Sequence, residues 1–207
     1  MTKRTTRLNA DDGFSLAELM VVVGVISVVM VGATVVAPSV LKQSRADGST
    51  TLVVNTLRLA RDRAIGERRN MDVVFVPPDR IKIVREEIVY NSVTGTWSST
   101  YGLTSNPTVM DVVLENGQQF VYYTGMADTP DLFGRTNVPL AFGTVAAPLP
   151  TIMFTSEGSL VDASGDPING TVFLATGSDK TSARAVTIFG ATGLLRTWKW
   201  DGVKWAE

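Results

Sequence analysis

The sequence predicts an α+β protein, with one long N-terminal helix followed by a β-rich head. Three observations carry this reading. Residues 19–41 contain no charged side chain, a run long enough as a helix to span about 30 Å of hydrocarbon. From residue 42 to 70, apolar residues recur at three- and four-residue spacing, as in an amphipathic helix. After Asn70 the pattern becomes short apolar runs separated by Pro, Gly and Asn turns, which reads as strands.

The first segment opens with Lys3, Arg4 and Arg7, which favours a cytoplasmic start. Lys42 and Arg45 stand just beyond the apolar run and blur that count. Gly24, Gly32 and Pro38 lower helix propensity. Membrane helices tolerate them, and small residues allow close helix packing. The same residues let the segment bend or locally melt. Glu18 is the only acid near the run. A poorly solvated carboxylate is heavily penalised without a cation, so Glu18 is a functional candidate in need of a partner. The plainer alternative is an interfacial acid at the membrane surface.

Gly13-Phe14-Ser15-Leu16-Ala17-Glu18 resembles the class III leader of type IV prepilins and of type II secretion pseudopilins. That pattern has a Gly at the cut, a Phe as the new N terminus, and a Glu four residues after the Phe. The resemblance implies that a prepilin peptidase cuts between Gly13 and Phe14 and methylates the Phe14 amine. It also implies that Glu18 pairs with the Phe14 amine of a neighbouring subunit entering a filament. An ordinary secretory signal is the competing reading, cut after its apolar region at a small-residue site. Here that site is Val35-Val36-Ala37, but Pro38 would follow the cut and Val35 is a poor small residue. The expected plan is a leader at 1–13, a transmembrane and assembly helix at 14–41, an amphipathic continuation at 42–70, and a head at 71–207.

Composition narrows the chemistry. Removing Lys3, Arg4, Arg7, Asp11 and Asp12 from 19 bases and 20 acids leaves sixteen and eighteen. A near-neutral chain does not argue for nucleic acid as its main partner. There is no Cys and no His, so a disulfide framework, a thiolate, an imidazole base and the commonest metal ligand are excluded. No enzymatic activity, metal or cofactor is expected. The part after the membrane segment suffices for one domain with a core, and no solenoid-period repeat is present.

In the continuation, Leu52, Val53, Leu57, Ala60 and Ala64 share one stripe. Asp47-Gly48-Ser49 is a weak spot within the one long helix, which ends near Arg69-Asn70. Val73-Val74-Phe75-Val76 meets a Pro77-Pro78-Asp79 turn before Ile81 and Ile83. Ile88-Val89-Tyr90 pairs with Thr96-Trp97 around Thr94-Gly95. Further strands are expected at 109–114, 119–123, 151–154, 171–175, 185–189 and 194–200. Glu115-Asn116-Gly117 supplies an Asn-Gly turn, the strongest short hairpin signal, between the first two of these. Residues 125–150 hold Pro130, Pro139, Pro148 and Pro150 and read as an exposed loop, long enough to be functional or mobile.

Ile152-Met153-Phe154-Thr155-Ser156-Glu157-Gly158, Ala185-Val186-Thr187-Ile188 with Thr192-Gly193, and Leu59-Ala60-Arg61-Asp62-Arg63-Ala64-Ile65 resemble the GspH/FimT family of minor pseudopilins. The resemblance implies a β-sandwich-like head of two antiparallel sheets docked on the helix. It implies a minor pseudopilin of a type II secretion pseudopilus, structural in filament assembly and protein secretion. The implied partners are the prepilin peptidase and other minor and major pseudopilins. The implied location is the bacterial inner membrane, crossed once, with the head on the periplasmic side. The alternative is a FimT-like minor pilin of a type IV pilus, acting in assembly, attachment or DNA uptake. Some members bind DNA through Gly-Arg-x-Arg. Here the position reads Gly193-Leu194-Leu195-Arg196, so Arg196 with Lys199 is only a weak DNA candidate, with Lys204 as electrostatic support.

Other constellations have plain readings. Trp198, Trp200 and Trp205 suit base stacking, but Trp198 and Trp200 are two apart on a strand and read better as packing. Ser39 and Lys42 match the S-x-x-K spacing of acyl-serine enzymes without its companion motifs. Asp162, Asp166 and Asn169 offer oxygen ligands for calcium, yet Gly165 and Pro167 between them read as turn residues. Arg58, Arg61, Arg63, Arg68 and Arg69 read as a solvated helix face, with a subunit contact as the alternative.

Overall fold

The computed structural model describes residues 15–101, 105–134, 138–143 and 150–207, and of residues 33–37, 39 and 99 the backbone only. The expected leader, 1–13, and Phe14 therefore lie outside the described residues. Two compact units are present, Met1–Leu41 and Lys42–Glu207. One helix, α1 (Leu16–Glu67), contributes to both.

In the first unit, Ser15 caps the helix: the Glu18 amide donates to Ser15 Oγ at 3.1 Å. The side chains from Leu16 to Val31 are exposed on consecutive positions, among them Met20, Val21, Val25 and Val29. A helix apolar on all sides has no preferred wet face. Ser27 meets its own need internally, donating to the Val23 carbonyl at 2.7 Å. Among the described residues, no helix is long and apolar enough to cross a membrane.

In the second unit the strands are β1 (Met71–Val76), β2 (Arg80–Arg85), β3 (Ile88–Asn91), β4 (Thr96–Ser99), β5 (Thr108–Val113), β6 (Gln118–Phe120), β7 (Leu140–Phe142), β8 (Thr151–Phe154), β9 (Leu160–Val161), β10 (Gly170–Thr176), β11 (Asp179–Phe189), β12 (Leu194–Trp200) and β13 (Trp205–Ala206). One sheet runs β5-β2-β1-β8-β9, a second β13-β12-β11-β10-β6 with β7 also on β10, and β3-β4 stand apart as a hairpin. The pairings are antiparallel throughout. The expected α+β class, a long helix with two antiparallel sheets, is what the structure contains.

The stripe read from the sequence is the helix's buried face. Val53, Leu57, Ala60 and Ala64 are fully buried, and Leu52 packs at the edge. They meet Met71, Val73 and Phe75 of β1 and Val186 and Ile188 of β11 in one core. Phe75 joins the two sheets, with its ring 5.7 Å from Phe142 and 5.5 Å from Phe120.

The weak spot at Asp47-Gly48-Ser49 does not interrupt α1. Ala46, Ser49 and Thr50 are buried there, and Asp47 is held by Arg184 at 2.6 Å. Tertiary contacts of this kind override a propensity cost of about 1 kcal/mol. The helix ends at Glu67. Arg68 adopts φ 51°, with Arg69 N–H donating to the Ala64 carbonyl and Arg68 N–H to that of Ile65. This is a Schellman cap with Arg where Gly is usual.

The Asn-Gly turn forms, but its flanks do not make the expected hairpin. Asn116 and Gly117 both have positive φ, 61° and 72°, and Gln118 N–H closes on the Glu115 carbonyl. However, β5 pairs with β2 while β6 pairs with β10. The turn carries the chain from one sheet to the other. Leu114 and Phe120 both enter the shared core, which favours that crossing over local pairing.

The expectation of an exposed loop at 125–150 also fails. Met126 and Thr129 are buried and Leu140–Phe142 forms β7. The Trp205 indole donates to the Ala127 carbonyl at 2.8 Å. Together with Val121, Tyr122 and Tyr123, Met126 covers a second core built on the outer face of β10–β13. Trp198, Trp200 and Trp205 lie in that core, so the packing reading of the tryptophans holds.

Candidate functional site

The segment expected to carry the processing signal reaches the described structure at Ser15. Gly13 and Phe14 lie outside it. Glu18 stands exposed in the first turn of α1, where the helix dipole favours an acid. Ser15-x-x-Glu18 is also a capping-box spacing, a signal the sequence reading missed. Ser15 thus starts the helix beside the expected cut, and it presents Glu18 among exposed Leu16, Leu19 and Met20. Among the described residues Glu18 is the only carboxylate in that stretch of helix, which suits it to one incoming cation.

The head has a second constellation, assembled from the three segments of the GspH/FimT resemblance. Arg61 of α1 donates through Nε to the Gly158 carbonyl at 3.0 Å. Gly158 has φ +84° and Gly193 φ +63°. A β-carbon on Gly193 would sit 2.6 Å from Arg61 Nε and 2.6 Å from the Gly158 carbonyl oxygen. The three motif segments therefore meet at one close-packed point, and their shared role is to lock α1 to the turn after β8 and the β11–β12 turn.

The weak DNA candidates are engaged elsewhere. Arg196 Nη1 holds Asp131 Oδ1 at 3.0 Å, and its guanidinium lies 5.1 Å from the Phe189 ring centroid. Asp131 also accepts from Thr187 Oγ1 at 2.6 Å, and Thr187 Oγ1 in turn accepts from the Trp198 indole at 3.0 Å. Arg196 thus fastens the 125–134 segment to β11 and β12. Lys199 donates to Gln43 Oε1 at 3.2 Å.

The remaining groups are structural. Asp162 Oδ1 accepts from the amides of Ser164 and Asp166, and Gly165 has φ +88°, so this segment is a turn. Among the described residues no cluster of three acids is placed to hold a metal. Lys42 lies 3.7 Å from Asp179, and the Ser39 side chain is outside the described residues. The arginine face is only partly solvated. Arg58, Arg63 and Arg68 are exposed, whereas Arg61 and Arg69 hold Gly158 and Glu87.

The described residues give a long helix whose second half packs with two antiparallel sheets in one core. Residues 8–34 match the family described as the prokaryotic N-terminal methylation motif. The segments that carry the GspH/FimT resemblance are the ones that meet at Arg61. Solved structures similar to it include the minor pseudopilin EpsH from the type 2 secretion system of Vibrio cholerae, at 17% identity and TM-score 0.41, over 75% of this chain and 97% of that one. Another is the type IV minor pilin FimU of Pseudomonas aeruginosa, at 14% identity and TM-score 0.43, over 80% and 92%. No curated protein matches the chain.

Proposed function

We propose that this chain is a minor pseudopilin of a type II secretion pseudopilus, a structural subunit in filament assembly and protein secretion. The observation that supports a filament subunit is Glu18, the single exposed acid on an otherwise apolar helix start inside a methylation-motif match. In this reading a prepilin peptidase cuts after Gly13 and the Phe14 amine is methylated. The segment 14–41 anchors the subunit in the inner membrane with the head on the periplasmic side. Glu18 then neutralises the Phe14 amine of the next subunit. The head has no catalytic role and contacts other pseudopilins. The alternative is a minor pilin of a type IV pilus, with the same processing and the same Glu18 pairing.

Mass spectrometry of the membrane-extracted protein tests the processing. The expected chain starts at N-methylated Phe14, and a cut after Ala37 or an intact leader in cells with active peptidase would refute it. Glu18→Ala should leave the cut intact and impair filament incorporation, because the amine loses its partner. Loss of exoprotein secretion in the mutant supports the secretion system, while loss of piliation alone assigns the chain to a pilus. Normal function of both removes the pairing role.

A further inference from the structure

The hairpin β3–β4 is the least protected part of the head. Its twelve residues, 88–99, include no charged side chain and no proline. Charge and proline are the usual guards of an open strand edge. Among the described residues no third strand joins it, so both outer edges are open. Its apolar side chains are turned to solvent: Ile88, Val89, Tyr90, Val93 and Trp97 are all exposed, Trp97 by 69%. Tyr90 and Trp97 face each other across the pair with rings 4.9 Å apart. An isolated hairpin is marginal in water, and an exposed apolar cluster of this kind marks an interaction surface.

The hairpin is nonetheless fixed at its base. Thr100 N–H donates to the Glu87 carbonyl, Thr100 Oγ1 accepts from the Glu87 amide, and Arg69 holds the Glu87 carboxylate at 3.0 Å. Beside it lies a groove of about 270 Å³, with Ile88 and Trp97 on one wall and Arg68 and Arg69 at the helix end. Arg63, Arg69 and Arg85 each hold a carboxylate. Among the described residues no carboxylate lies within ion-pair distance of Arg68, which has the left-handed cap conformation and lines the groove. The site therefore combines open backbone edges, exposed Ile88 and Trp97, and the Arg68 cation; the one acid on its lining, Glu86, is buried and outside ion-pair distance of Arg68.

We propose that this hairpin and groove dock an extended segment of a partner protein, one that carries apolar side chains and a carboxylate. The segment adds as a strand to the open edge, seats its apolar side chains on Ile88 and Trp97, and gives its carboxylate to Arg68. Strand addition supplies main-chain hydrogen bonds, and the side-chain sites supply the choice of partner. A lipid surface fits less well. The hairpin sits beside the end of α1, and 25 residues of helix, roughly 38 Å, separate Glu67 from Lys42, the residue after the apolar run. The proposal rests on the assembly reading only for the class of partner, a neighbouring filament subunit.

The full chain in neutral detergent is titrated with a capped hexapeptide of alternating valine and threonine ending in glutamate. The readout is acrylamide quenching of tryptophan fluorescence. Trp198, Trp200 and Trp205 are each at least nine-tenths buried, so quenching reports Trp97. The peptide should shield Trp97. Arg68→Glu should weaken binding about threefold, the scale of one exposed ion pair, and the same peptide ending in lysine should prefer that variant. Ile88→Thr should weaken binding about fivefold through lost apolar contact. The proposal is overturned by no shielding at millimolar peptide, or by equal binding of both peptides to the unaltered chain. Equal shielding by phosphatidylcholine vesicles would assign the surface to lipid, and a dimer lost on Trp97→Ser would assign it to a second copy. Either result overturns the proposal. The processing test at Phe14 is read separately, so neither failure conceals the other.

Discussion

Arg184 of β11 and Asp47 of α1 form a 2.6 Å ion pair between a guanidinium that is 2% exposed and a carboxylate that is 57% exposed. The asymmetry decides how the pair behaves. Asp47 returns easily to water, but Arg184 does not. Its remaining acceptors are the carbonyls of Thr181, Ala183 and Gln43.

Removing the acid should therefore hurt more than replacing the base. Asp47→Ala strands a buried charge and should cost about 2–4 kcal/mol. Arg184→Met fills similar volume without a charge and should stay within about 1 kcal/mol of the unaltered head. Urea unfolding of a head beginning at Lys42 measures both. Equal losses from the two substitutions would mean that the pair acts through packing rather than through charge.

The head's acid sensitivity should include Asp179. Its carboxylate accepts from the Thr181 hydroxyl at 2.7 Å and the Thr181 amide at 3.0 Å, with Lys42 nearby. The hydrogen bond from the Thr181 hydroxyl is the largest influence; burial opposes it, and the Thr181 amide and then the Lys42 charge add to it, so the pKa lies below the ordinary 3.8. A depressed folded-state pKa gives stability that is present above the unfolded value and lost as pH falls through the folded one. Thr181→Val should raise the Asp179 pKa in a carbon-detected NMR titration. It should lower stability at neutral pH, and the gap should shrink once the pH is below about 4.

Arg196 should behave as a structural residue. Because it is tied to Asp131 and lies over Phe189, its charge is largely matched within the fold. DNA binding at physiological salt should be weak, and Arg196→Ala should change it little while loosening the 125–134 segment. A gel-shift titration at that salt reads the first, since low salt exaggerates phosphate contacts, and amide exchange at Ala127 and Thr129 reads the second. Tight binding that collapses in the variant would move the chain to a DNA-handling pilus role.

What was legible in the sequence follows interaction range. The helix stripe at Val53, Leu57, Ala60 and Ala64 is a local period, and it marks the buried face correctly. The strands at Thr151–Phe154 and Leu194–Trp200 lie where their apolar runs place them. The Asn116-Gly117 turn was visible, but its destination was not, because sheet membership depends on Phe120 reaching a core made by residues far along the chain. The 125–134 cover escaped for a similar reason. Its anchors are Asp131 on Arg196 and Ala127 on Trp205, which leave no periodic trace. β7, β9 and β13 are too short, at two or three residues, to show a pattern. At the N terminus Glu18 stands out as the acid beside the apolar run, and its proposed role comes from the prepilin resemblance; the Ser15 cap beside it was overlooked.

The meeting of Arg61, Gly158 and Gly193 gives the sharpest test of how the head is fixed on its helix. Gly193 has φ +63°, and any β-carbon there would lie 2.6 Å from a main-chain oxygen. Backbone cannot yield as a flexible side chain can. Gly193→Ala combines that clash with a left-handed conformation and should cost about 2–4 kcal/mol. Arg61→Lys keeps the charge but loses the fixed Nε–H aimed at the Gly158 carbonyl, and should cost about 1 kcal/mol. If Arg61 and Gly193 act at one contact, the double variant should lose less than the sum of the two. Thermal unfolding of the four proteins measures this. Full additivity would mean that Gly193 serves only its own turn and that Arg61 does not depend on it.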